Sequence, residues 1–171
     1  MLKGLHTFLA SSLTVAALTF AAQAQAQSYL VNEGFEGEGF PPAGWKVIDA
    51  DGDGHCWQIA KRGMATLNGN QIAISYTVNP ENADAYGAQD NYLVLPPITV
   101  TNNSYKLMYQ CCAQDQDSPE SYSVLVSETG TEAADFKKEL FSERLENGYD
   151  DVSLQARDLS LADYVGKTIY I

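Results

Sequence analysis

Tyr122-Ser-Val-Leu-Val-Ser-Glu128 sets apolar side chains at Tyr122, Val124 and Val126, with serines at Ser123 and Ser127. Successive side chains of an extended chain point to opposite faces, so this spacing reads as a strand with one buried and one wet face. Leu125 breaks the strict period of two. Working outward, Gln71 to Val78, Tyr92 to Leu95, Tyr105 to Cys112 and Thr168 to Ile171 carry similar β-branched and aromatic content. Between these segments lie Phe40-Pro-Pro-Ala-Gly44, Asn68-Gly-Asn70, Pro96-Pro97, Asn102-Asn103 and Asp117-Ser-Pro119, all rich in turn formers. Helical signal is confined to two single turns. One runs from Glu132 to Phe136 with Thr131 as its cap, and the other from Ser160 to Val165, closed by Gly166. Short strands with this much punctuation predict an all-β sandwich or barrel.

The first residues have a different character. Lys3 is followed by an uncharged apolar run from Phe8 to Ala22 and then by Ala24-Gln25-Ala26. A charged start, an apolar stretch and small residues at alternate positions describe an export signal cleaved before Gln27. Gln23, Gln25 and Gln27 end the run short of the roughly 20 apolar residues that a membrane-spanning helix requires. Residues 27–171 are then one domain by size. The chain holds 22 acidic against 10 basic residues, a net charge of −12, and the one Lys of the leader is among those ten. Such a surface repels nucleic acid and anionic lipid and favours divalent cations. Cys56, Cys111 and Cys112 permit at most one internal disulfide, and without a CxxC or Cys/His cluster they read as buried thiols rather than zinc ligands.

The densest chemistry lies in Asp49-Ala-Asp51-Gly-Asp53-Gly54, between Trp45 and Trp57. Carboxylates at every second position can turn inward on a tight loop, with glycines supplying positive φ, and hard oxygens suit calcium. An EF-hand is rejected, because Ala60 stands where the bidentate Glu belongs and no flanking helices are evident. A plain solvated Asp-Gly turn has the same composition, and spacing does not choose between the two. Glu36 and Asp115 are the candidates for completing a site.

No residue set predicts catalysis. The one histidine after the leader, His55, adjoins Cys56, and neighbouring residues of an extended segment diverge, which places the pair poorly for a thiolate–imidazole dyad. No acid occupies a setting that predicts a raised pKa, and no phosphate-binding loop is present. Among the many tyrosines, Tyr86 and Tyr149 lie in polar turns and are the candidates for exposed binding contacts.

Several collinear segments together resemble the cleaved-adhesin domain family, the haemagglutinin/adhesin modules of gingipain-type and other secreted Bacteroidetes proteins. They are Gly34-Phe-Glu36, Phe40-Pro-Pro-Ala-Gly-Trp45, Ile48 to Gly54, Trp57, Gln89 to Pro97, Ala113-Gln-Asp115, Tyr122 to Gly130, Asp135-Phe136 and Tyr164 to Ile171. The resemblance implies a jelly-roll β-sandwich of antiparallel strands, similar to MAM and galactose-binding-like domains, with structural calcium held by Glu36, Asp49, Asp51 and Asp53 and more weakly by Asp115. The family pattern continues past a strand like Lys167-Thr-Ile-Tyr-Ile171 to an Asp-Asp-Ile or Asp-Asp-Val motif, so the resemblance implies a truncated chain whose closing strands and one further ligand lie beyond Ile171. The function it implies is a secreted or cell-surface, non-enzymatic adhesin that binds host or matrix proteins, haem proteins or cell-surface glycoconjugates, as virulence-associated adhesins do. A carbohydrate-binding module accessory to a secreted hydrolase or peptidase is the alternative.

Overall fold

Strand pairing is antiparallel throughout the described part of the molecule. The computed structural model describes residues 28–61, 69–77, 89–113, 119–145 and 154–171. Its strands are β1 (Lys46–Asp49), β2 (Gln58–Lys61), β3 (Gln71–Ile74), β4 (Asn91–Val94), β5 (Ile98–Thr99), β6 (Lys106–Cys111), β7 (Glu120–Val126), β8 (Lys138–Leu145), β9 (Gln155–Ser160) and β10 (Thr168–Ile169). The ladders are β1–β4, β2–β3, β5–β10, β6–β9 and β7–β8. This is the expected all-β, jelly-roll class of sandwich, and the two helical signals are realised only as 3₁₀ turns at Ala133–Asp135 and Ala162–Tyr164.

The deciding stretch forms β7, and the irregularity at Leu125 has a structural counterpart. Val124 pairs with Phe141 but Leu125 pairs with Glu139, so Leu140 of β8 is an extra residue. Such a bulge bends the strand and re-aims the side chains beyond it. Val124 and Val126, two apart on β7, are both buried, with Leu125 half-buried between them.

Five strands were not foreseen from sequence: β1, β2, β5, β8 and β9. In β8 the bulge destroys the period of two. In β9 the alternation is intact, but its inner face carries Gln155, Arg157 and Leu159, which do not read as apolar. These residues oppose Cys111, Tyr109 and Leu107 of β6. The expected cap at Thr131 is corrected: Glu132 stands at the cap position, and its N–H donates to Asp135 Oδ2 at 3.0 Å. An acid three residues into the turn can reach back to the open N–H of the cap.

The core gathers where the chain's later segments converge. Val100, Val126, Leu161, Tyr164 and Ile169 are each at most 2% exposed. Burying side chains of this size is worth about 1.5–3 kcal/mol apiece. Backbone bonds tie the same region together. Leu95 N–H donates to Ile171 O at 2.9 Å, Tyr170 exchanges bonds with Ser127 at 2.9 Å, and Gly166 N–H donates to Val100 O at 2.8 Å. Residues 168–171 thereby join the ends of β4 and β7 to β5.

Candidate functional site

The acidic loop follows directly from the end of β1. Pairing of Asp49 with Asn91 in the β1–β4 ladder sets the loop beside Gln89 and Asp90, and Ala50 N–H extends the ladder by donating to Asp90 O at 3.0 Å. Gly52 and Gly54 adopt φ of 73° and 82°, conformations that glycine reaches without a Cβ clash. This turns backbone N–H groups inward onto Asp49: Gly52 N–H donates to Oδ1 at 2.7 Å and Gly54 N–H to Oδ2 at 2.9 Å. His55 N–H donates to Asp53 Oδ1 at 2.7 Å. From the neighbouring strand entry, Asp90 N–H donates to Asp51 Oδ2 at 3.1 Å and Gln89 Nε2 to Asp53 Oδ2 at 2.8 Å.

One carboxylate oxygen from each of Asp49, Asp51 and Asp53 lies within 4.8 Å of the others. Like charges this close repel unless donors or a cation offset them. The Gly54 N–H is the main reason that the Asp49 carboxyl is held below its ordinary value of 3.8. Each carboxylate oxygen offers two lone pairs, so one backbone bond leaves capacity for a cation. Three hard anionic donors on a tight loop fit calcium in kind, with its remaining coordination open to carbonyl or water oxygens.

Of the expected ligands, the fold thus gathers Asp49, Asp51 and Asp53. Glu36 does not belong to that group. Its Oε1 accepts from Asn70 N–H at 2.7 Å and Gln71 N–H at 2.8 Å, anchoring the entry to β3, and a side chain at position 69 would collide with its carboxylate. Asp115, Tyr86 and Tyr149 lie outside the described residues, as does the leader. Gln89 and Asp90 escaped notice as site residues because nothing in the sequence pairs them with a loop some 35 positions earlier; the Gln89-Asp90-Asn91 segment before a strand was the available signal.

The flanking tryptophans are half-buried. Trp57 Nε1 donates to Asn91 O at 3.2 Å, pinning the exit of the loop to β4. The same Asn91 donates from Nδ2 to Gln89 Oε1 at 2.6 Å, while its Oδ1 is buried with no partner among the described residues. Burial is the chief reason that the Cys56 thiol is pushed up, with the Asp49 and Asp51 charges adding to it. Only the thiolate is an effective nucleophile, and this shift disfavours it. Cys56, Cys111 and Cys112 are half-buried thiols, none of them joined in a disulfide among the described residues. No helix among the described residues is long and apolar enough to cross a membrane.

Residues 28–161 match the sequence model of the Cleaved Adhesin Domain. Hemagglutinin A of Porphyromonas gingivalis W83 is 34% identical over 172 residues, covering 90% of this chain but 8% of that protein. Lys-gingipain W83 is 38% identical over 106 residues, 61% of this chain and 6% of its own length. The crystal structure of the K1 cleaved adhesin domain of Lys-gingipain superposes with a TM-score of 0.63 at 31% identity, covering 75% of this chain and 79% of that domain. The K3 domain gives 0.60 at 28% identity over the same shares. The chain therefore spans less than a tenth of these full-length relatives.

Proposed function

This chain belongs to the cleaved adhesin domain family, and on that premise we propose that it is an exported, non-catalytic binding module for host or matrix proteins, stiffened by calcium at Asp49, Asp51 and Asp53. The observation that carries the reading is the convergence of those three carboxylates, within 4.8 Å, on a loop of an adhesin-type sandwich. Calcium there would bind the loop's carboxylates together and hold the β1–β2 connection rigid against Gln89 and Asp90. The apolar run before Gln27 supports export. The match to an adhesin domain family supports a role in binding rather than catalysis.

The test is attachment of the chain to surfaces coated with fibrinogen or haemoglobin, with soluble proteins and soluble glycans as competitors. Protein competitors are expected to block attachment. Blocking by glycans alone would sink this reading in favour of a carbohydrate-binding module. Hydrolysis of a protein or glycan substrate that is abolished by replacing one acid, with the fold intact, would overturn the non-catalytic assignment.

A further inference from the structure

Away from the acidic loop, Trp45, Pro96, Pro97, Leu30 and Val31 wall a recess of about 460 Å³, and Glu33 is the one charged residue among the described ones that line it. Recesses of roughly 300–1,000 Å³ are the size that holds small ligands or inserted side chains. Leu30, one of its apolar lining residues, is 61% exposed. The exposed carboxylate is oriented by one local bond, Glu33 Oε1 accepting from Phe35 N–H at 2.5 Å. Phe35 itself adopts φ of 61°, a conformation that bulky side chains rarely take. Its ring meets Trp45 edge-on, 5.5 Å between centroids, and lies 6.2 Å from Phe40. One residue therefore presets both the acid and the indole.

We propose that this recess receives a lysine or arginine side chain presented by an extended segment of a partner protein. The aliphatic stem of such a side chain suits an indole and two proline rings, while its cationic head suits the Glu33 carboxylate. Among the described residues no Lys, Arg or His lines the recess, and the net charge of −12 steers basic partners toward the surface. The proposal rests on the binding-module reading and names the chemistry that the partner must offer.

Two-dimensional NMR of the labelled chain tests it through the indole N–H signal of Trp45, identified by comparison with Trp45→Phe. The probes are short capped peptides with a central lysine or arginine, a norleucine peptide as the uncharged control, and a neutral oligosaccharide. The cationic peptides are expected to move the signal saturably, and more weakly as salt rises. Glu33→Gln keeps an acceptor for Phe35 N–H and should weaken binding by about tenfold. Equal response to norleucine, undiminished response in Glu33→Gln, or response to the oligosaccharide alone overturns the proposal. Attachment to protein-coated surfaces is measured in parallel. A chain that attaches normally yet ignores the cationic peptides keeps its adhesin role and loses this recess as the means. A chain that attaches to no protein loses the functional reading, and the titration alone then decides the recess.

Discussion

Arg157 of β9 grips Glu143 of β8 through two parallel bonds, Nε to Oε1 and Nη2 to Oε2, both 2.7 Å. Each residue brings a cross-strand tyrosine with it: Tyr109 opposes Arg157 in the β6–β9 ladder, and Tyr122 opposes Glu143 in the β7–β8 ladder. Tyr122 OH donates to Glu143 Oε1 at 2.5 Å and lies 2.7 Å from Tyr109 OH. The four side chains thus clasp two ladders that share no strand. Arg157 and Glu143 side chains are 18% and 20% exposed, so water competes little with the clasp.

Removing one member should therefore cost more than breaking an exposed pair. Arg157→Ala is expected to lower the urea midpoint clearly. Lys106→Ala, at the 2.8 Å pair with Asp158 whose side chains are about half exposed, should change stability by about 0–1 kcal/mol. The double variant Arg157→Ala, Glu143→Ala should lose less than the sum of its single changes, because each single change strands the other's polar group. Strict additivity in the unfolding measurements would show that the clasp is not a unit.

Stability should also fall in acid. The Arg157 guanidinium is the main reason that the Glu143 carboxyl sits below its ordinary value of 4.5. A carboxyl depressed in the folded state stabilises the fold fully above its unfolded value, and that contribution disappears as pH falls through the folded value. Urea midpoints measured from about pH 6 down to about pH 3 should decline below about 4.5, and Glu143→Gln should flatten the decline. A decline unchanged in the variant would place the acid sensitivity elsewhere.

Calcium binding to the acidic loop predicts a ligand-dependent melting temperature, since a ion that binds only the folded state stabilises it by mass action. At 100 times its dissociation constant the gain is about 2.7 kcal/mol. Melting in calcium and in chelator should differ for the native chain and coincide for Asp51→Ala. Identical curves for the native chain would remove calcium from the site.

Much of the architecture was legible in the sequence because it rests on local rules. Alternation from Tyr122 to Val126 marked β7, Pro and Gly clusters marked the turns, and carboxylates at every second position of 49–53 marked the loop. Tertiary structure decided what depends on residues far apart in the chain. Strand β9 hid its role because two of its three inward residues, Gln155 and Arg157, are polar, and Arg157 becomes half-buried only once Glu143 and Tyr109 meet it. Register likewise set Gln89 and Asp90 against the acidic loop and sent Glu36 to the entry of β3 instead. Spacing along one chain can propose which side chains share a face, whereas convergence of separate ladders is fixed by non-local pairing, whose partners no local pattern encodes.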